Sequence, residues 1–237
     1  MDYSGLITAN LATYDGRQAF LAKTIESLKK QTVKFDAIRV WYNGYVPETL
    51  SGIEQHHNGM DYTDRGKFIW LDNIKLEGRH ETYFSCDDDL IYPPDYAERM
   101  VEGLERYPGH VVSFHGRRLL GQNKNYYFEH KAFNFLATIE QDNAVHVPGT
   151  GVTCFKTSDF IPDIIQYKDD CMADVLMGLE MAKAGIPGMC LAHKRGWIRP
   201  QPTKESIYKN HSRRCTTQSG YADEILRYCK ENDKKVS

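Results

Sequence analysis

Through the first half of the chain, short apolar runs alternate with stretches whose apolar residues recur every three or four positions. No other feature restricts the fold as strongly. Strands that alternate with amphipathic helices bury both kinds of element in an α/β domain, a mixed but mostly parallel sheet flanked by helices. The predicted strands are Leu6 to Ala12, Ala37 to Tyr42, Lys67 to Leu71 and Thr82 to Cys86. Between the first two, Asp15 is placed to cap a helix in which Leu21, Ile25 and Leu28 share one face. The fourth strand runs directly into Asp87-Asp88-Asp89. Beyond it, Pro93-Pro94-Asp95 opens a helix with Tyr96, Met100, Val101 and Leu104 on its buried face. His110 to Phe114 reads as a strand, and Val147 to Phe155 as a Gly149-Thr150-Gly151 turn leading into one. Asp170 to Ala184 is a predicted helix with Met172, Val175, Leu176 and Leu179 inward, stopped by Gly185, and Gly188 to Ala192 follows as a strand. The segment His115 to His146 keeps no clean period and reads as an insertion beside a site.

Composition bounds the function classes. The chain has 237 residues, 41% hydrophobic and 26% charged, enough for one substantial core. Its formal net charge of −2 lacks the basic excess of a general nucleic-acid coat. Six dispersed cysteines form no CxxC pair, which predicts reduced thiols in a cytoplasmic protein. No apolar run reaches the length of a membrane span, and no secretion signal is visible at the N-terminus. From His193 onward, eleven Lys or Arg face five Asp or Glu, with Pro200 and Pro202 interrupting. Residues 1–192 therefore read as the catalytic domain, and 193–237 as a basic tail or flap packed near its site.

Three adjacent carboxylates repel one another unless a cation offsets them, and hard oxygen ligands suit Mg²⁺ or Mn²⁺. In open α/β sheets, ligands collect beyond the carboxyl ends of strands, which is where YFSCDDDL puts these residues. Taken alone, such a triplet is more often a solvated acidic turn capping the helix at Pro94 than a metal site.

Three ordered segments add a resemblance. TANLATYDGRQAFLAKTIESLKKQT (Thr8 to Thr32) looks like the nucleotide-binding opening of family 2 glycosyltransferases of the GT-A fold. FSCDDDLIYPPDY resembles that family's DxD segment, and DDCMADVLMGLEMAKAG resembles its later acidic helix ending in KAG. The resemblance implies a GT-A fold and a metal-dependent transfer of sugar from a nucleotide-diphosphate donor, a UDP- or GDP-sugar, to a glycan or glycoconjugate hydroxyl. It implies Asp89 as principal ligand of Mn²⁺ or Mg²⁺, with Asp87 and Asp88 facing the donor ribose or ligating through water. Asp174 corresponds to the general base of inverting members, although Ala173 precedes it where the family has Glu. Asn43 lies where the family commonly has an aspartate that reads uracil.

Further candidates come from chemistry. Arg17, Lys75 and Arg79 follow predicted strand ends and are suited to phosphate, Arg79 being preferred. Thr13 and Tyr14 follow the first predicted strand and are donor-binding candidates, Tyr14 with a ring that can stack on a base. His193 follows the strand Gly188 to Ala192 and can complete a carboxylate metal site. His211 with Arg213 and Arg214 is a rival that could close over a diphosphate, and Asp169 and Asp170 are rivals to Asp174. Trp197, Tyr126 and Tyr127 offer flat faces to a sugar. The Gly149-Thr150-Gly151 turn lacks a phosphate-loop pattern and reads as close backbone approach near the acceptor. Two other classes share parts of this pattern: a nucleotidyltransferase, which would normally carry a Gly-rich basic loop after its first strand, and a glycan- or nucleotide-binding module without turnover.

Overall fold

The computed structural model describes residues 5–121, 126, 128–167, 173–202 and 216–236. Its centre is an eight-stranded sheet in the order β3-β2-β1-β4-β11-β6-β12-β9. The strands are β1 (Leu6–Tyr14), β2 (Ala37–Asn43), β3 (Glu54–His56), β4 (Glu81–Asp87), β6 (Val111–Ser113), β9 (Asn143–Val145), β11 (Val152–Lys156) and β12 (Gly188–Cys190). β1 pairs in parallel with β2 and β4, β2 with β3, and β12 with β6. β11 runs antiparallel to both β4 and β6, and β9 antiparallel to β12. Six strands thus point one way and two oppose them, the mixed α/β sheet that the alternation predicts.

The two faces of this sheet bury different layers. Alternate residues Ile7, Ala9 and Leu11 of β1 join Val40, Phe84 and Cys86 against Leu21, Ile25 and Leu28 of α1 (Gln18–Lys29) and Tyr96, Met100 and Leu104 of α3 (Tyr96–Arg106). Trp41 and Tyr83 face the other way. They pack with Ile74 of α2 (Leu71–Glu77), with Val175, Leu176 and Leu179 of α4 (Ala173–Ala184), and with Ala222 and Ile225 of α5 (Thr216–Val236). At about 25 cal/mol per Å² of apolar surface, this double burial is the main source of stability.

Several expectations change. Lys67 to Leu71 is not a strand: a 3-10 helix, Thr63–Phe68, runs on into α2, and the strand beside β2 is Glu54–His56. A short apolar run cannot by itself distinguish a buried strand from a buried helical turn. Close packing fixes the outcome, because a Cβ on Gly66 would lie 2.5 Å from Trp41 of β2. Asp15 does not cap α1; its Oδ1 accepts from the Gly16 amide and the Gln18 side chain, and Arg17 holds the N-cap position. α4 is described from Ala173, so Asp169, Asp170 and Met172 lie outside the described residues, while Gly185 ends the helix at φ 70°.

The presumed insertion is partly regular. β7 (Gly116–Leu119) and β8 (His130–Phe133) form a hairpin extended by β10 (Val147–Pro148). The predicted tail also contributes fixed structure: β13 (Arg199–Pro200) pairs with β5 (Leu90–Ile91), next to the acidic triplet, and α5 packs on α4. Among the described residues, no helix is long and apolar enough to cross a membrane.

Candidate active site at the carboxyl end of the sheet

Parallel pairing brings the ends of β1, β2 and β4 together, with Ala12 opposite Asp87 and Tyr14 opposite Asn43. Because β11 is antiparallel, its start lies at the same end, and Val152 stands opposite Cys86. The Gly149-Thr150-Gly151 turn is therefore delivered beside the acidic triplet. Tyr92 ties the two: its hydroxyl accepts from the Asp87 amide at 2.8 Å and donates to the Gly151 carbonyl at 2.7 Å.

The three aspartates have different surroundings. Asp88 turns inward and is 6% exposed. Its Oδ1 pairs with Arg17 Nη2 at 2.7 Å, and its Oδ2 accepts from Thr13 Oγ1 at 2.6 Å. The same Arg17 nitrogen reaches Asp89 Oδ2 at 2.6 Å, and Arg17 Nη1 donates to the Tyr14 hydroxyl at 3.1 Å. Burial pushes the Asp88 carboxyl up to about 6 against the pull of Arg17. Burial and the neighbouring Asp87 raise Asp89 as well. Asp87 is the most open of the three, with its side chain 44% exposed, and its Oδ1 accepts from Lys67 Nζ at 2.6 Å. Lys67 is only 3% exposed; burial works against its charge, yet Asp87 and Asp64 together hold its ammonium above the usual lysine value.

Asp174, in the first turn of α4, meets the same turn at Thr150. Its Oδ1 accepts both the Thr150 amide at 2.8 Å and the Thr150 hydroxyl at 2.7 Å. Asp64 fixes the start of that helix by accepting the Ala173 amide at 2.8 Å. Burial raises the Asp64 carboxyl, and Lys67 opposes the rise. His115 follows β6 and lies against Gly149, where a Cβ would come within 2.6 Å of its ring. Burial lowers its imidazole to about 4, so the ring is neutral at physiological pH; Asp174 and Asp87 oppose that shift.

Of the sequence candidates, Thr13, Tyr14, Arg17, Asp87, Asp88, Asp89 and Asp174 thus converge at one end of the sheet. Asp88, implied by the resemblance to face the ribose or ligate through water, has both its oxygens engaged inside the protein, by Arg17 and Thr13. Asn43 stands at this end too, but its amide accepts from Tyr62 N at 3.0 Å and donates to Thr63 O at 2.8 Å. It holds the entry to the 3-10 helix, where Thr63 adopts φ 54°, a left-handed conformation that is rare outside glycine.

Arg79 is moved out of the site. It pairs with Glu81 at 2.9 Å, and Glu81 begins the strand that Asp87 ends, so Arg79 belongs to the opposite end of the sheet with Arg39 and Thr8. Lys75 is exposed on α2, which precedes that same end. His193 is buried with Nδ1 2.8 Å from Leu191 O and Nε2 3.3 Å from Asn134 O, so neither ring nitrogen is turned toward the aspartates. Trp197 donates to Asp95 at 3.0 Å and stacks under Arg99 at 4.2 Å, as a packing residue. Tyr126 is buried, its hydroxyl accepting from Arg117. Tyr127, His211, Arg213 and Arg214 lie outside the described residues.

Asp64, Lys67 and His115 were not anticipated as site residues. The first two were concealed by reading their segment as a strand. His115 could have been found from its place just past a strand of the parallel set. No protein-family model matches the chain, and no curated protein matches it.

Proposed function

We propose that the chain is a GT-A-type glycosyltransferase that moves a sugar from a UDP- or GDP-sugar to a hydroxyl of a glycan or glycoconjugate, with inversion. One observation carries this reading. The acidic end of β4 and Asp174, far apart in sequence, meet across a single turn: Thr150 holds Asp174, and Gly151 lies against Asp87.

The donor set fits a hard divalent cation. Asp87 and Asp89 each use one oxygen on an internal cation, Lys67 or Arg17, and among the described residues the second oxygen of each has no hydrogen-bond or ion-pair partner. Mg²⁺ characteristically binds one or two carboxylates and completes its shell with substrate phosphates and water. When bound there, Mg²⁺ or Mn²⁺ would offset charge on a departing nucleoside diphosphate. Asp174 is the group to take the proton of the acceptor hydroxyl, and its two bonds from Thr150 orient the carboxylate for that transfer. Arg17 and Lys67 keep the triplet from repelling itself before any ligand arrives.

The test is a thermal-shift panel of nucleoside diphosphates with and without Mn²⁺, followed by turnover of a UDP- and GDP-sugar panel, since a ligand that binds the folded state raises stability by mass action. Metal-dependent stabilisation that Asp89→Ala removes, with Asp174→Asn retaining binding but losing transfer, is the expected result. If no donor binds or turns over, and Asp89→Ala changes nothing, the reading fails.

A further inference from the structure

The Gly149-Thr150-Gly151 turn supports three side chains at once. Gly151 lies against Asp87, Thr150 holds Asp174, and Gly149 lies against the ring of His115, whose carbonyl accepts the Gly149 amide at 2.8 Å. A Cβ on Gly149 would run into the His115 ring, and one on Gly151 would fall on the Asp87 carboxylate and displace it. His115 and Asp174 thus lie against neighbouring residues of one turn, Gly149 and Thr150.

The state of that ring follows from its surroundings. Nδ1 is enclosed and has no hydrogen-bond partner. An enclosed N–H without an acceptor is unfavourable, so the neutral ring carries its proton on Nε2 and leaves only a lone pair at Nδ1. Nε2 is not among the enclosed atoms and makes no hydrogen bond within the described protein. The ring therefore keeps one unpartnered N–H donor on the same turn that holds the Asp174 carboxylate. A donor next to an acceptor is the pairing that a sugar hydroxyl satisfies, receiving at its oxygen and giving from its hydrogen.

We propose that His115 is an acceptor-binding residue, donating from Nε2–H to a hydroxyl oxygen of the incoming glycoside while Asp174 faces the hydroxyl that reacts. The inference rests on the glycosyltransferase reading for the word acceptor, but the site itself is a glycoside-hydroxyl site whatever the reaction.

Long-range ¹H–¹⁵N NMR of the full chain, with His115→Phe used for assignment, reads the tautomer directly. The same spectra are followed while methyl glycosides of glucose, galactose, mannose and N-acetylglucosamine are added, and separately UDP or GDP with Mg²⁺. The Nε2–H tautomer is expected, with its resonance shifting on addition of at least one glycoside. His115→Phe should weaken that glycoside about tenfold, the size of one net hydrogen bond. His115→Gln, which keeps a donor near the Nε2 position, should restore most of the affinity, and nucleotide binding should be unchanged in both variants. An Nδ1–H tautomer, or glycoside binding indifferent to His115→Phe, overturns the proposal, as does the absence of any glycoside response. Glycoside binding at His115 without nucleotide binding would leave this site standing while the transferase reading fell; nucleotide binding without a glycoside response would do the reverse.

Discussion

Asp64 and Lys67 stand one 3-10 turn apart and hold opposite halves of the site: Asp64 accepts the first described amide of α4 at 2.8 Å, and Lys67 donates to Asp87 at 2.6 Å. In a 3-10 helix, residues three apart project from the same side. The short helix therefore acts as a spacer that sets the distance between the acidic strand end and the helix carrying Asp174. Lys67→Met removes the partner of a half-exposed carboxylate that water can re-solvate, so a loss of stability of about 1 kcal/mol is expected in urea denaturation. In a double-mutant cycle with Asp64→Asn, the two changes should couple by at least about 0.5 kcal/mol. Strict additivity would show that the spacer does not act as a unit.

A second expectation concerns Gly151, where a Cβ would fall on Asp87 Oδ2. Its backbone angles are open to alanine, so the cost of Gly151→Ala is steric and local. The variant should remain folded but lose nucleotide-dependent stabilisation in the presence of Mn²⁺, a quantity of about 2.7 kcal/mol for a ligand at a hundred times its Kd. Stabilisation equal to that of the parent protein would show that Asp87 does not contribute to the ligand site.

How much of this was legible in the sequence depended on which interactions decide each feature. Period-two runs such as Ile7, Ala9 and Leu11 report a buried sheet face directly, so β1, β2 and β4 were readable. The acidic end of β4 followed from strand direction. What could not be read was the role of polar groups engaged at long range: Asp88 is distinguished from Asp87 only by Arg17 and Thr13, and Arg79 from Arg17 only by which end of a strand it meets. The run KFIWL had an apolar character that suits either state, and Gly66 packing on Trp41 decided it.

Thr150→Val tests the orientation of Asp174. The change deletes the 2.7 Å hydroxyl bond and leaves the 2.8 Å amide bond in place. Because the carboxylate then keeps its place but gains freedom, turnover should fall about tenfold with little change in donor KM, the pattern of an interaction that matters more in the transition state than in the ground state. A rise in donor KM at constant turnover would instead place Thr150 in donor binding.

The pH dependence of stability separates His115 from Asp88. Burial lowers His115 from 6.5 to about 4, so between those values the unfolded chain binds more protons and stability falls as pH is lowered. Asp88 has the opposite sign: its carboxyl is raised to about 6, so its contribution is greatest below the unfolded value near 3.8 and is lost as pH rises through about 6. The difference in unfolding free energy between His115→Gln and the parent should therefore move in favour of the variant by up to about 3 kcal/mol as pH falls from 7 to 4. Denaturation curves across that range that stay parallel would remove the case for a neutral ring.

Arg17 gives the sharpest prediction about the triplet itself. One of its nitrogens bridges Asp88 and Asp89, and the Arg17 and Asp88 side chains are 9% and 8% exposed. Breaking a buried pair from one side leaves the other charge without compensation, which costs about 3–5 kcal/mol, whereas removing both charges can be close to neutral. Arg17→Met should therefore destabilise the fold by about 3 kcal/mol, and adding Asp88→Asn should recover most of the loss. Divalent ions supply a separate readout: once Arg17 no longer offsets the carboxylates, Mn²⁺ alone should raise the melting temperature of Arg17→Met more than that of the parent. Equal Mn²⁺ responses in the two proteins would mean that the guanidinium and the metal do not draw on the same carboxylate charge.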